Sequence, residues 1–395
     1  MSLDQQLAQT IDTLYNNASG FKQRMDAAGL TPADVQGVAD LVKLPIMNKD
    51  ELIERQKQQP PFGGMLAVPM SALSAVYQSP GPINEPSMGK TDAGNWGIAL
   101  KAAGFTAGEV VLNAFGYHMT PAGASLHDSL NSVGCVVIPG GIGNQEQQIQ
   151  VMASFGATGY VGLPSYLKAL LDKAEGLGIE LSLNKAFVLA EPLPPSLRQE
   201  LKERGVDVYQ AYGTAECGNL GYDTPALNGW NIPENVIIQI CDINSGEPLP
   251  HGETGEVVVT LLNDHYAIVR FGVGDLSAII PESVEDDGSL RLAGWQGRAG
   301  GATKVRGMFL HPTQLRNMMM RFSEVAAYQA VITRENHRDQ LELHVVPVAD
   351  AATASLAERL EKTAREAIKF RLAAKVLRET AVLEGDPIRD ERVWE

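Results

Sequence analysis

The sequence has little cysteine, and no long apolar run. Its 395 residues include three cysteines, Cys135, Cys217 and Cys241, which are too widely spaced to predict a metal site or a disulfide framework. No stretch approaches the roughly 18 apolar residues of a membrane span, and the polar first residues lack the layout of a signal peptide. These absences predict a cytoplasmic protein without a membrane partner.

Basic charge is also scarce. Lysine and arginine number 32 against 47 aspartate and glutamate residues, which gives a formal net charge of −15. Such a balance argues against nucleic acid as the partner. Small phosphate-bearing ligands stay compatible with it, because backbone amides, helix N-termini and Mg²⁺ can neutralise phosphate locally. The chain contains no serine-hydrolase elbow, Walker loop or zinc-ligand spacing.

Residues 1–58 have helical patterns, and from about residue 94 to 211 the sequence alternates between two kinds of pattern. Short apolar runs typical of buried strands are followed by amphipathic stretches with helical spacing, which predicts an α/β fold with a doubly wound, mostly parallel sheet. Asn144 is the expected N-cap of one helix and Gly156 its C-terminal stop. We predict helices at 4–17, 32–42, 95–103, 123–133, 145–155, 166–173 and 195–204, and strands at 110–115, 135–139, 159–162, 185–190 and 206–211.

The pattern changes after residue 230, and the length of the chain favours two or more domains. Strand patterns at 236–241, 256–262 and 268–271 predict a small β subdomain. Beyond a glycine-rich linker, strands at 328–333, 341–347 and 381–383 and a helix at 354–372 predict a separate α+β unit. We therefore predict a large N-terminal domain at 1–296, a hinge at 297–301 and a small mobile C-terminal domain at 302–395.

One nine-residue stretch, 210–218, carries the most chemistry. It follows a buried strand and presents Tyr212, Gly213, Thr214 and Glu216 in order. A ring can stack on a base, a glycine lets backbone approach phosphate, a hydroxyl can donate to phosphate and a carboxylate can hold Mg²⁺. These residues predict a nucleotide site beyond the C-terminal strand ends. An ordinary turn with a solvated glutamate is the alternative.

Other candidates have structural alternatives as well. Asp275 follows a glycine at a predicted strand end and could accept from a sugar diol, or cap a turn. Tyr117 and His118 lie just beyond a strand; His118 could bind a substrate carboxylate, act as a base or be satisfied by backbone. Lys304 could meet a phosphate of ATP or CoA, or remain a solvated loop charge.

Together, these motifs resemble those of the adenylate-forming (AMP-forming) ligases, and most of all the phenylacetate–CoA ligase branch. The resemblance runs in order along nearly the whole chain, which makes it much more specific than any single motif. The matching segments are 44–52 (LPIMNKDEL), 115–123 (FGYHMTPAG), 137–141, 162–166, 189–192, 211–216 (AYGTAE), 254–260, 270–275 (RFGVGD), 297–298 and 304–307.

The resemblance implies an activity, its cofactors and its site. ATP and a carboxylic acid, aryl or aryl-acetic, would give an acyl-adenylate and pyrophosphate, and CoA would take the acyl group after the C-terminal domain rotates. A homodimer is implied as well. The purine would lodge between Tyr212 and Asp275. The implied catalytic residues are Thr214, Glu216, Arg298 and Lys304; the nucleotide-binding residues Ala190, Glu191, Pro192, Tyr212, Gly213, Thr214, Asp275 and Arg298; the acid-binding residues Tyr117, His118, Thr120, Gly140 and Gly141; and the Mg²⁺ ligand Glu216.

The chain departs from the family pattern at functional positions. In the loop that should cradle pyrophosphate, 78–86, Glu85 stands where a lysine is expected, and a carboxylate there would repel a triphosphate. Gly300 replaces the hinge aspartate, and the last residues offer Arg389 and Arg392 but no lysine. Three hypotheses follow: a divergent ligase, a non-catalytic nucleotide- or acyl-CoA-binding relative, and an adenylate-forming enzyme that does not use CoA.

Overall fold

The computed structural model describes residues 1–79, 81–89, 95–281, 290–299, 303–306, 308–310, 312–336, 338–349, 355–383 and 385–393. The chain divides into two compact units, which we call the N-terminal and C-terminal units. The first comprises Met1–Pro192 with Gln199–Ala299, and the second Leu193–Arg198 with Gly300–Glu395. Gly300 lies outside the described residues, so the hinge at 297–301 stays a prediction.

The described residues form ten α-helices and three short 3₁₀ segments. The 3₁₀ segments are Pro32–Asp34, Val38–Lys43 and Met70–Ala72. The helices are α1 (Leu3–Asn17), α2 (Ser19–Ala27), α3 (Lys49–Gln58), α4 (Trp96–Ala102), α5 (Pro121–Val133), α6 (Gln145–Phe155), α7 (Pro164–Gly176), α8 (Pro195–Glu203), α9 (Pro312–Met319) and α10 (Leu356–Ala367).

Twenty strands are present among the described residues. They are β1 (Ala75–Ser79), β2 (Ile83–Ser87), β3 (Val110–Asn113), β4 (Val136–Pro139), β5 (Gly159–Gly162), β6 (Lys185–Val188), β7 (Asp207–Thr214), β8 (Gly218–Tyr222), β9 (Trp230–Asn231), β10 (Val236–Cys241), β11 (Gly255–Leu261), β12 (Phe271–Ser277), β13 (Arg291–Leu292), β14 (Gly297–Arg298), β15 (Thr303–Val305), β16 (Met308–Leu310), β17 (Val325–Glu335), β18 (Arg338–Pro347), β19 (Ala373–Val376) and β20 (Ile388–Asp390).

The largest sheet has eight strands in the order β13-β9-β8-β7-β6-β5-β3-β4. Five adjacent strands, β7, β6, β5, β3 and β4, run parallel to one another. The other three, β8, β9 and β13, continue the sheet with antiparallel pairing. The apolar run of the central strand β5 is buried at all four residues, whereas Val136 on the edge strand β4 is 57% exposed. This topology confirms the predicted α/β fold with a mostly parallel sheet.

A second sheet of the N-terminal unit is antiparallel, in the order β10-β11-β12-β14. Two buried arginines connect it to the N-terminal segment. Arg24 donates to the carbonyls of Val269 (3.1 Å) and Pro45 (2.9 Å), and Arg270 donates to the carbonyls of Val42 (2.7 Å) and Gly246 (2.6 Å). The predicted β subdomain thus packs against the first helical region, because Arg24 of α2 and Arg270 next to β12 each donate to a backbone carbonyl across this contact.

Two local predictions in the N-terminal unit are wrong, and a third is confirmed in position only. The helix at 32–42 is two 3₁₀ segments, because the Asp40 carboxylate accepts from the backbone amide of Gly37 and caps a new turn there. The strand predicted at 268–271 begins only at Phe271, since Arg270 has a φ of 47°. Asn144 precedes α6 as predicted, but it makes no side-chain cap hydrogen bond.

The C-terminal unit contains a four-stranded sheet in the order β19-β18-β17-β20. The predicted pairing of the strands near 328–333 and 341–347 is confirmed by the antiparallel β17 and β18. The helix predicted to reach residue 372 ends at Ala367, because Lys369 has a φ of 61°. The prediction of a strand at 381–383 is wrong, and Val382 is 79% exposed. The two edge strands of this sheet are instead β19 and β20.

Candidate nucleotide and acid site

The stretch with the nucleotide-site residues forms a hairpin rather than a simple turn. Tyr212, Gly213 and Thr214 lie on β7, which pairs antiparallel with β8, and Glu216 lies in the connecting turn. A Cβ at Gly213 would lie 2.2 Å from the carbonyl oxygen of Gly218. Glycine is therefore required there by the close approach of the partner strand. The backbone amide of Cys217 donates to Thr214 Oγ1 at 3.2 Å, which fixes this hydroxyl oxygen in the turn.

Glu216 is paired with a cation that the sequence had not marked. The Nζ of Lys49, the first residue of α3, lies 2.6 Å from Glu216 Oε1. Burial by itself raises the pKa of Glu216, but the ammonium of Lys49 outweighs it and holds the pKa below its usual range. The second oxygen, Oε2, is buried with no hydrogen-bond partner among the described residues. The Glu216 carboxylate is therefore ionised, with Oε1 paired to Lys49 and Oε2 left without a hydrogen-bond partner among the described residues.

That unsatisfied oxygen bears on the predicted metal. Among the described residues, no group of three or more acidic, histidine or cysteine side chains could hold a metal ion. Mg²⁺ in nucleotide sites needs only one or two carboxylates, because phosphates and water complete its octahedron. The single free oxygen of Glu216 fits such a ligand.

Glu85 is buried rather than facing a phosphate loop. The described part of 78–86 forms the β1–β2 hairpin, in which Tyr77 pairs with Glu85; Pro80 lies outside the described residues. Glu85 is 3% exposed, and Ser79 Oγ donates to its Oε1 at 3.1 Å. Burial raises the pKa of Glu85 well above its usual value, and the charge of Glu216 adds to the shift. Burial thus favours the neutral form of this carboxyl group, whereas the sequence led us to expect a charged, repelling carboxylate.

Asp275 is surrounded by donors of the protein itself. Its Oδ2 accepts from the Tyr212 hydroxyl at 2.9 Å, and its Oδ1 accepts from Trp295 Nε1 at 2.9 Å and Arg298 Nη1 at 2.7 Å. Asp275 and Arg298 are direct partners across β12 and β14. The Tyr212 ring stacks on Trp230, with centroids 5.4 Å apart and planes 13° apart. Both carboxylate oxygens are thus satisfied in the structure.

This arrangement corrects one prediction. Tyr212 and Asp275 do lie together, but a direct hydrogen bond closes the space between them, so no purine ring fits there in this conformation. Burial raises the pKa of Tyr212 well above its usual value, and Asp275 adds to the shift. The neutral hydroxyl therefore remains the donor at every physiological pH. A nucleotide would have to use another face of Tyr212 or separate the two residues.

The segment after β6 is fixed beside β7. Ala190 has a φ of 70°, an uncommon value for a residue with a Cβ, and such strain often marks a functional site. Glu191 is 7% exposed and accepts from Ser165 Oγ at 2.6 Å. Gln210 Nε2 donates to the Glu191 carbonyl at 3.1 Å, which places this segment, with Pro192 next in the chain, beside the strand of Tyr212.

The predicted acid-binding residues lie around the end of β3. Asn113 Nδ2 donates to the Tyr117 hydroxyl at 2.8 Å, and His127 Nδ1 lies 3.2 Å from the same hydroxyl. Burial raises the pKa of Tyr117 to about 12. His118 is exposed, and Thr120 precedes α5 without a side-chain cap hydrogen bond. The structure therefore ties Tyr117 into a network and leaves the side chain of His118 at the surface.

The glycine pair of this region is held by the same network. The amide of Gly141 donates to the Asn113 carbonyl at 3.1 Å. Gln148 Nε2 donates to the carbonyls of Gly140 (3.2 Å) and Gly141 (3.0 Å), and the Tyr166 hydroxyl lies 2.8 Å from Gln148 Oε1. Asn113 thus connects both groups of predicted acid-binding residues.

In the C-terminal unit, Arg392 has a structural role. Its side chain is 1% exposed, and its guanidinium contacts Asp339 at 2.9 Å and Asp390 at 2.6 Å and donates to the Lys304 carbonyl at 2.8 Å. It therefore cannot replace a substrate-binding lysine while these contacts hold. The side chain of Arg389 is 46% exposed. Lys304 lies on β15 with its backbone held by Arg392.

The sequence prediction missed three residues of the site: Lys49, Trp230 and Trp295. Lys49 lay inside one of the matching segments, and its position just after a helix-capping asparagine was the available signal. The tryptophans, two of only four in the chain, carried no motif. Among the described residues, no helix has the length and apolar character needed to cross a bilayer.

Comparisons with known proteins show what the whole chain is similar to. The family model described as "AMP-binding enzyme" matches residues 108–261. The phenylacetate-coenzyme A ligase of Aromatoleum evansii is 29% identical over 369 residues, which cover 89% of this chain and 82% of the relative. The phenylacetate-coenzyme A ligase of Thermus thermophilus is 28% identical over 87% of this chain and 80% of the relative. A crystal structure of 2-hydroxyisobutyryl-CoA ligase with 2-HIB-AMP and CoA shares the fold, with a TM-score of 0.88 and 21% identity over 99% of this chain and 89% of that one. The chain is thus similar to the adenylate-forming ligases, and both relatives compared above by sequence are phenylacetate–CoA ligases.

Proposed function

We propose that this protein is an ATP-dependent acid–CoA ligase. A carboxylate oxygen of an aryl or aryl-acetic acid attacks the α-phosphorus of ATP, and pyrophosphate leaves. The sulfur of CoA then attacks the acyl carbon, and AMP leaves. The observation that carries the proposal is the contact of Tyr212 with Asp275, 63 residues apart: the two side chains assigned to base and ribose lie together at one end of the parallel strands, where such sheets bind ligands.

The residues around this contact have complementary roles in the proposal. Thr214 and Glu216 lie at the phosphate side, and Mg²⁺, when bound, would be held by Glu216 and supply positive charge to the transferring phosphoryl group. The segment Ala190–Pro192 lines the base beside Tyr212. Arg298 holds Asp275 in position and, once that contact opens, offers a guanidinium to phosphate.

The acid and CoA have their own parts of the chain in the proposal. Tyr117, Gly140 and Gly141, organised by Asn113, form one side of the acid pocket, and Thr120 and the exposed His118 lie on the same loop. Lys304 keeps the phosphate-binding role that the resemblance implies. We further propose a cytoplasmic homodimer; light scattering on the purified protein measures the oligomeric state.

The test uses the purified chain with ATP, Mg²⁺ and a panel of aryl, aryl-acetic and short alkyl acids, with and without CoA. Pyrophosphate release is followed continuously, and the acyl-CoA product is identified by mass spectrometry. The expected result is acid-dependent pyrophosphate release and a thioester with at least one aryl acid. Glu216→Ala should lose both. A panel that yields neither product while wild type remains folded rejects the proposal.

A second candidate function is a non-catalytic relative that binds nucleotide or acyl-CoA. Two observations favour it: Asp275 is already satisfied by protein donors, and the buried Glu85 stands where the family has a lysine. In that case ATP or AMP raises the melting temperature without pyrophosphate release. Acid-dependent release that does not respond to CoA would instead identify an adenylate-forming enzyme with another acceptor.

A further inference from the structure

The position of Lys49 is set by Glu216 rather than by its own helix. Lys49 is the first residue of α3, whose N-cap is Asn48; the next two residues are acidic, as the positive end of a helix dipole favours. A lysine ammonium is disfavoured at that end. Its 2.6 Å contact with Glu216 Oε1 compensates, and it connects the helix to the turn between β7 and β8.

The contact leaves Glu216 only half satisfied. The Glu216 side chain is 3% exposed, whereas that of Lys49 is 23% exposed. Glu216 Oε1 faces the ammonium, and Oε2 is buried without a hydrogen-bond partner among the described residues. An ionised carboxylate accepts through both oxygens, so the buried Oε2 still needs a donor or a cation.

We propose that Lys49 is the resident cation of this site and makes the binding of a divalent metal ion depend on bound nucleotide. In the nucleotide-free protein its ammonium neutralises Glu216, so that a divalent ion is repelled and binds only together with nucleotide phosphates, which restore the negative charge. The proposal rests on the proposed function, in which Glu216 is the metal ligand. Lys49 here controls metal binding and is not a group that touches the reacting atoms.

The pair is not needed to hold α3 in place. Further along the helix, Gln56 Nε2 donates to the Asn84 carbonyl at 2.9 Å, and the Asn84 amide donates back to Gln56 Oε1 at 2.8 Å. Leu52 is fully buried in the core on the same helix. A variant without the Lys49 ammonium should therefore still fold.

The experiment titrates nucleotide-free protein with Mn²⁺ and measures free Mn²⁺ by electron paramagnetic resonance. Lys49→Met should bind one Mn²⁺ on the order of tenfold more tightly than wild type, a change of about 1.4 kcal/mol. Lys49→Met/Glu216→Gln should lose that gain, and Lys49→Arg should match wild type. Lys57→Met, which removes an exposed lysine of the same helix that pairs with Glu54 at 3.6 Å, is the matched control and should also match wild type.

Equal Mn²⁺ affinity of wild type and folded Lys49→Met overturns the inference, as does a gain that survives Glu216→Gln. If Lys49→Met fails to fold, Lys49→Gln, which can still donate to Glu216 without a charge, carries the same expectation. The measurements distinguish failure of the proposed role of Lys49 from failure of the proposed ligase activity. Thioester formation by wild type with unchanged Mn²⁺ binding rejects only the role of Lys49, and an Mn²⁺ gain without any thioester or pyrophosphate release rejects only the ligase.

Discussion

The Tyr212 hydroxyl donates to Asp275 Oδ2 at 2.9 Å, between strands β7 and β12 of two different sheets. Trp295 and Arg298 occupy the other oxygen of the same carboxylate. A sugar diol can bind Asp275 only by displacing at least one of these donors. The free energy of nucleotide binding is therefore reduced by the free energy of each internal hydrogen bond that the ligand must break.

Removing the indole donor should strengthen nucleotide binding. Trp295→Phe keeps an aromatic ring but frees Asp275 Oδ1 from the indole N–H. Because a hydrogen bond to a charged group contributes about 1.5–3 kcal/mol, and Arg298 remains, we expect AMP to bind roughly tenfold more tightly by isothermal titration calorimetry. Gln296→Ala is the control, since Gln296 bonds Thr254 instead. Weaker AMP binding by Trp295→Phe would show that the indole is part of the ligand site.

Glu85 should make stability depend on pH. Its folded pKa is raised, so the folded chain keeps a proton that the unfolded chain, with a pKa of about 4.3, releases. The free energy of unfolding therefore falls as pH rises from about 4.3 toward the folded pKa, by up to about 1.4 kcal/mol per pH unit. Glu85→Gln should remove this pH dependence of the free energy of unfolding.

Urea unfolding of both proteins across that window measures the effect. The stability of Glu85→Gln minus that of wild type should increase steadily with pH and level off above the folded pKa. Ser79→Ala, which removes the hydroxyl that contacts Glu85, should keep the pH dependence. A difference that stays constant with pH would mean that Glu85 is ionised in the folded protein.

Arg392 should matter for stability of the C-terminal unit. Arg392→Ala removes one ion-pair partner of Asp339, which is 6% exposed and also contacts Arg334 at 2.9 Å. We expect a loss of roughly 3 kcal/mol in the free energy of unfolding, measured by urea denaturation of the full chain. Arg389→Ala removes a half-exposed arginine three residues earlier in the chain and should change stability by less than about 0.5 kcal/mol. Equal effects would contradict the structural role of Arg392.

Asn113 should control acid recognition without touching the nucleotide. It is fully buried and its side chain donates to the Tyr117 hydroxyl and, at 2.8 Å, to the Gly123 carbonyl. Asn113→Ala should raise KM for the acid roughly tenfold through misplacement of Tyr117 and leave KM for ATP unchanged in steady-state assays. Asn131→Ala, at an exposed position of α5, is the control. A parallel change in both KM values would indicate general loss of structure.

The sequence could predict the parts of the molecule that depend on local pattern. The alternation that gave β5 and β6 depends on runs of apolar residues a few positions long, and α6 has the predicted bounds because Gly156 ends it in the left-handed region. Errors occurred where pairing with another strand decides: β7 extends to Thr214 because β8 pairs with it in a hairpin, and β19 and β20 form on the edges of a sheet whose centre lies elsewhere in the chain.

The sequence by itself determined the fold class, the ordered motifs and the resemblance to a family, because periodicity and short spacings are properties of neighbouring residues. Only the tertiary structure decided the state of the charges. Whether Glu85 is neutral, Glu216 paired with Lys49 or Asp275 closed by Tyr212 depends on burial and on side chains up to 167 positions away, as for Lys49 and Glu216. Electrostatic free energies follow distance in space and exclusion of water, and neither is recorded in the order of the residues.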